Sequence, residues 1–328
     1  MKNSRGKADA AADAVAAEIR AGQSIELLKE LHILTEGGRL NQDSRRKLKQ
    51  VYHLYQFIEK LLLELPQTSG QLPDGRSENH CSPPEDVGSG VGERGPALEG
   101  ITLADHGAGK SYLGFILYDL FFKQRGSGTI FGIETRAELV EKSRELAARL
   151  GFDRMCFVNL SVAESAQSAE LPDRIDIVTA LHACDTATDD AIEFGLRKKA
   201  KFMVLVPCCQ AEIARALSST KALSLARTPL AELWRHPLHT REMGSQITNV
   251  LRCLYLEACG YQVSVTELVG WEHSLKNELI IARFTGHKKR SASERLRSIL
   301  NEFGLGELLQ ARFSALDQPQ PRELPSAQ

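Results

Sequence analysis

The chain has 328 residues, 42% hydrophobic and 25% charged, ordinary globular values that suit one large domain or two small ones. Its formal net charge of −1 removes any global electrostatic case for nucleic acid or a membrane, so such a case must be local. No apolar run is long enough to span a bilayer, and the N-terminus lacks the apolar core of a signal peptide. Seven cysteines, an odd number without a framework spacing, suit a reducing cytosol, so a cytoplasmic location without a membrane partner is expected.

Taken in order, the chain opens with a helical region over residues 1–66. Ala10 to Arg20 is a helix on alanine propensity, and Ser24 is a candidate cap for a second over Ser24 to Leu34. Asn41 to Leu65 is the clearest helix of this part. Leu48, Val51, Tyr55, Ile58, Leu62 and Leu65 recur at three- and four-residue steps, and Pro66 ends the run. Its start carries Arg45, Arg46, Lys47 and Lys49. Cations in a first turn oppose the helix dipole at roughly 0.3–1 kcal/mol each. Such a positive end is retained either because it meets phosphates, with Arg45 and Lys47 as the contacts, or because it is a solvated face beside acids.

Residues 67–99 are rich in Pro, Gly, Ser and charge and read as a flexible linker that separates an N-terminal helical module from a catalytic domain. His80, Cys81 and Glu85 lie there without a second ligand pair at zinc spacing. From residue 100 to 286 the pattern is α/β. Strands are expected at Ile101–Leu103, Ile130–Glu134, Met155–Asn159, Ile175–Leu181 and Phe202–Val206, with helices between them, including Ala137–Leu150, Asp189–Lys199 and Gln246–Cys259. A loop is expected around Pro229 to Pro237. Tyr261–Leu268 and Leu279–Phe284 have no room for a crossover helix between them and must pair antiparallel. Residues 287–328 are a C-terminal helical segment, Ser291 to Leu316, and a loose Pro- and Gln-rich tail.

The most informative stretch runs from Ile101 to Gly114. It reads as a buried strand, a turn containing Gly107 and Gly109, then a helix, with Asp105 where the strand runs out. Such a unit builds a nucleotide pocket. A P-loop would need its first glycine at Ala104, and a dinucleotide fingerprint would need its third at Tyr112. What remains is an acid, glycines, and a second acid, Glu134, at the next strand's tip. A carboxylate there can accept bonds from both ribose hydroxyls. A glycine turn in an unrelated α/β protein is the competing picture.

This layout resembles class I methyltransferases that use S-adenosylmethionine. The resemblance implies a Rossmann-like sheet, mostly parallel, with a C-terminal antiparallel hairpin, helices on both faces, and S-adenosylmethionine as cofactor. It places Asp105 near the methionine end and Glu134 on the ribose, with Gly107, Gly109 and Lys110 in the turn. Leu160 and Ser161 are expected beside the adenine, and Leu181 at the pocket. The runs Leu-His-Ala-Cys-Asp-Thr-Ala-Thr-Asp from Leu181 and Pro-Cys-Cys-Gln from Pro207 are similar to a methyltransferase branch of bacterial and eukaryotic proteins. That branch includes the catalytic part of the glutathione-transferase-C-terminal-domain-containing protein. More distantly they resemble the eukaryotic tRNA 2′-O-methyltransferase of the acceptor stem. Two departures from that tRNA enzyme are Asp185 in place of a glycine and Gln210 where a histidine pair would begin; its zinc-finger spacing is absent.

Methyl transfer needs in-line positioning of a nucleophile, and a hydroxyl nucleophile also needs its proton taken. Asp185 is the first candidate base or substrate orienter and His182 the second, with a backbone-bonded strand-end histidine as the plain alternative. Cys208 and Gln210, and Lys276 and Asn277 before the last strand, are candidate substrate contacts; Trp271 could stack on a base. Cys184, Cys208 and Cys209 read as small semi-buried thiols of a pocket floor or, with His182, as a redox pair or metal site, although adjacent cysteines do not easily chelate one ion from one loop. The expected acceptor is RNA, tRNA or rRNA, with a small molecule or protein as the enzyme alternative and a non-catalytic scaffold as the other class. DNA is not expected as a partner, and the oligomeric state is open.

Overall fold

A computed structural model describes residues 18–66, 100–181, 185–207, 211–218, 229–268 and 278–316. Two helices come first, α1 (Ile25–Glu30) and α2 (Gln42–Glu64). Ser24 caps α1 by accepting the Leu27 N–H at 3.1 Å, and Asn41 caps α2 by accepting that of Ser44 at 2.7 Å. The helix expected over Ala10 to Arg20 falls mostly outside the described residues, as do residues 67–99 and the tail from residue 317.

The α/β part runs β1 (Thr102–His106), α3 (Tyr112–Leu117), β2 (Thr129–Glu134), α4 (Ala137–Arg149), β3 (Met155–Asn159), α5 (Val162–Ser165), β4 (Ile177–Leu181), α6 (Ala187–Arg197), β5 (Phe202–Val206), α7 (Glu212–Leu217), α8 (Pro237–Ala258), β6 (Tyr261–Glu267), β7 (Glu278–Phe284), α9 (Arg290–Glu302) and α10 (Leu308–Arg312). Among the described residues seven strands form one sheet, ordered β3-β2-β1-β4-β5-β7-β6. The first five are parallel, and β7 is antiparallel to both β5 and β6. The hairpin deduced from the missing crossover is therefore present. The Rossmann-like arrangement with helices on both faces is as expected.

Several boundaries differ from the sequence reading. β1 extends through His106, so Asp105 lies inside the strand, opposite Gly132 and Thr179. α8 begins at Pro237 rather than Gln246, with proline in its first turn, and a 3-10 turn (Pro229–Trp234) occupies most of the expected loop. The C-terminal helical segment breaks at Gly304, which takes φ 65.

Successive strand residues point to opposite faces, and both faces are covered. Leu103, Ile130, Phe157, Ile177, Phe202 and Val204 share one buried cluster with α1, α2 and α3. Ala104, Phe131, Val178, Met203, Leu205 and Ile280 share the other with α6, α8 and α9. The N-terminal helices thus pack into the sheet's own core. After α3 the helix widens into a π turn, Tyr118–Phe122, a form that appears mostly as single turns within α-helices. Its buried Asp119 accepts the Ser24 N–H at 2.7 Å, and Glu64 at the far end of α2 pairs with Arg283 on β7. On the opposite face Gly244 of α8 lets backbones meet: a Cβ there would lie 2.7 Å from the Ala214 nitrogen of α7.

Candidate functional site

Strand order reverses direction between β1 and β4, and ligands of open α/β sheets lie off the strand ends at such a point. Here β1 passes into a tight turn. Gly107, Gly109 and Ser111 all have left-handed φ, of 67, 59 and 50. The Ala108 N–H donates to the Ile133 carbonyl at 3.0 Å, which clips the turn to β2. Ser111 is the exception among the three because it carries a side chain. That side chain is fully buried, its Oγ has no hydrogen-bond partner among the described residues, and a Cβ at Gly114 would meet it at 2.6 Å.

The two predicted acids stand at this turn in different electrostatic states. Asp105 is buried, and among the described residues its hydrogen-bond partner is the Thr179 hydroxyl, which donates at 2.8 Å. Burial pushes its carboxyl up to about 7, against the smaller opposing pull of Thr179. Glu134 is also buried as a residue, but donors surround it. Its Oε2 accepts the Gly109 N–H at 2.8 Å and Arg136 Nη2 at 3.2 Å. Its Oε1 accepts Arg136 Nε at 3.0 Å, the Arg136 N–H at 3.1 Å and the Thr135 hydroxyl at 3.2 Å. Burial opposes its charge, but the Arg136 side chain and backbone and the Gly109 N–H outweigh it and hold the carboxyl at about 2. Glu134 is therefore a fixed anion, and Asp105 a carboxyl that changes state near neutrality.

Beside them, Asn159 donates to the Glu134 carbonyl at 2.9 Å, which ties the β3 tip to β2. Leu160 is half-buried. The Ser161 hydroxyl and N–H both donate to Glu164, at 2.6 and 2.8 Å, a capping box on α5. Leu181 is half-buried and packs against the α1–α3 side. Lys110 is exposed. It lines a groove of about 340 Å³ with Glu30, His32, Tyr112, Lys142 and Arg149, beside rather than over the two acids.

The candidate catalytic side is held by a polar network. Asp185 has a left-handed φ of 52. Its Oδ1 accepts the N–H groups of Ala211 and Glu212 at 2.9 and 3.1 Å, and its Oδ2 pairs with Arg215 at 3.0 Å. Burial works against its charge, but those donors prevail and hold its carboxyl below the usual range. In this geometry Asp185 caps α7 and joins it to the β4 tip. Arg252 of α8, only 1% exposed, donates to both Asp189 oxygens at 2.8 and 2.6 Å, to the Asp185 carbonyl at 2.7 Å and to Asn249 at 3.1 Å. Asn249 in turn donates to Glu278 at 2.6 Å, at the start of β7.

Arg45 pairs with Glu18 at 2.6 Å, Arg46 with Asp43 at 3.5 Å, and Lys47 is exposed on α2. His182, Cys208, Gln210, Lys276, Asn277, Trp271, Cys184 and Cys209 lie outside the described residues. Among the described residues no cluster of metal-binding side chains occurs, and no helix is long and apolar enough to cross a membrane.

Sequence reasoning overlooked Arg136, Thr179 and Arg252. Only Arg252 left a trace, as a charge among Ile247, Leu251 and Tyr255 on an apolar helix face.

The model of a family described as a methyltransferase domain matches residues 46–216. The glutathione S-transferase C-terminal domain-containing protein of Homo sapiens is 24% identical over 202 residues, which is 56% of this chain and 30% of that protein. The chain thus spans less than a third of this relative's length. Solved structures that resemble it include the magnesium protoporphyrin IX methyltransferase of Synechocystis with bound S-adenosylhomocysteine, at 12% identity and TM-score 0.39, covering 80% of this chain and 95% of that one. The M. capricolum TrmK complex with S-adenosylhomocysteine has 12% identity and TM-score 0.35, covering 68% and 83%.

Proposed function

The chain belongs to the methyltransferase-domain family, and on that premise we propose that it transfers a methyl group from S-adenosylmethionine to RNA. The donor is S-adenosylmethionine, which supplies an electrophilic methyl on a sulfonium. The residues present fit it. The turn's left-handed glycines leave its backbone open to a ligand, and it lies between an anion suited to a ribose diol and a second carboxyl suited to a cationic methionine end. That pairing of Glu134 and Asp105 across one turn carries the reading. The acceptor rests on less: the likeness of the 181–189 and 207–210 runs to a tRNA methyltransferase, and the basic start of α2 at Arg45 and Lys47. Asp185 and Arg252 hold the β4 and α7 segments in place, so the work of the acceptor side is positioning.

Tritiated S-adenosylmethionine incubated with the protein and total RNA is expected to label RNA, and RNase treatment to remove the label. Label in a protein or small-molecule fraction would move the acceptor. A rise in melting temperature with S-adenosylmethionine but no labelled fraction would leave a binding scaffold.

Donor binding should also depend on pH. Asp105 is protonated up to about pH 7, and a cation beside it favours the ionised form. Affinity for S-adenosylmethionine is therefore expected to rise between about pH 6 and about pH 8, with proton release on binding. The ligand-free protein should lose stability as pH rises from about 4 to about 7, because the folded-state carboxyl is raised above its unfolded value. Calorimetry in buffers of different ionisation heat measures the proton, and Asp105→Asn should flatten both trends. A pH-independent affinity in the unmodified protein would remove Asp105 from the methionine end.

A further inference from the structure

The Glu134 carboxylate is already full. Among the described residues five donors reach it: the Gly109 N–H, the Thr135 hydroxyl, and the N–H, Nε and Nη2 of Arg136. Both oxygens are thus crowded with donors, so two ribose hydroxyls can bond only in exchange for the two N–H groups of the guanidinium. The partners differ in freedom. The Glu134 side chain is 8% exposed and that of Arg136 is 62% exposed. The acid is anchored under the turn, while the guanidinium lies over it from the solvent side. Among the described residues Arg136 has no other ion-pair partner.

We propose that Arg136 is a latch on the donor site: its guanidinium holds the Glu134 lone pairs that the ribose diol requires, and it swings out when the nucleoside seats. This rests on the reading of Glu134 as the ribose acceptor. The Gly109 N–H and the Arg136 backbone N–H stay in place, so the carboxylate keeps its orientation when the latch opens. The exchanged partner is the mobile one, and an ion pair whose cation is mostly in solvent is cheap to break. Arg136 thereby sets how tightly the donor is held without touching the reacting atoms.

The test is titration of S-adenosylmethionine into the full chain and into Arg136→Met, with melting temperatures to verify folding. Removing a competitor should tighten binding by about two- to five-fold, the range of an exposed ion pair. A side chain that merely braced the turn would do the opposite, so the direction of change separates the two roles. In a Glu134→Gln background the same replacement should bring no gain. Unchanged or weaker binding in Arg136→Met, with the unmodified chain binding normally, overturns the latch and leaves the donor reading standing. No binding to either folded protein overturns both. Binding to Arg136→Met alone supports the latch in its strongest form.

Discussion

Arg252→Met should destabilise the fold by about 3–5 kcal/mol, the usual consequence of leaving half of a buried ion pair behind. In a melting experiment that is a fall of about 10 °C for a domain of this size. Arg252 is among the largest fully buried side chains and neutralises Asp189, whose side chain is 11% exposed. Its loss strands that carboxylate and also takes a donor away from the Asp185 carbonyl and from Asn249 Oδ1. The pairing of Arg252→Met with Asp189→Leu should recover much of the loss, because buried ion pairs replaced by apolar groups are often neutral or stabilising. If the double variant melts as low as the single one, packing rather than charge explains the effect. Donor binding lies on the other side of the switch point and should survive in whatever fraction stays folded.

Glu134→Gln should weaken S-adenosylmethionine by about 100-fold or more. Two hydrogen bonds from ribose hydroxyls to a charged acceptor are at stake, at about 1.5–3 kcal/mol each. The amide keeps the shape but replaces one acceptor with a donor and removes the charge. Release of Arg136 recovers only a few-fold of this, since its pair is mostly exposed. Isothermal titration measures the loss directly, and an unchanged affinity would place the ribose elsewhere. Apart from ligand, the Glu134 carboxyl is depressed to about 2, so its stabilising effect is present above its unfolded value of 4.5 and fades as pH falls toward about 2.

Legibility followed burial. β3 and β5 have the bounds read from the sequence, because Met155–Val158 and Phe202–Val206 are uninterrupted apolar runs that end at Asn159 and Pro207. The first turns of α8, with Leu238 and Arg241 exposed, show no apolar period, so the sequence marks the helix only from Gln246. Asp105 read as a strand terminus because an acid is rare inside a sheet; Thr179, far away in sequence, makes its burial tolerable. The same limit applies at the site. An acid at a strand tip is visible in one dimension, but its partners are not: the Gly109 N–H on Glu134 and the Ala211 and Glu212 N–H groups on Asp185 are set by tertiary approach. Asp185, read in the sequence as a candidate base or substrate orienter, also caps α7, a contact that no local pattern announces.

The leucines of α2 belong to the same oily layer that backs β1, β4 and β5. The described residues on either side of 67–99 thus share one core, and that stretch joins two parts of it. Doubling the length of such a connection costs only about 0.6 kcal/mol. Evolution is thus free to lengthen or rewrite that join, whereas a polar replacement at Leu54 or Ile58 would disturb the buried layer that also holds Leu103.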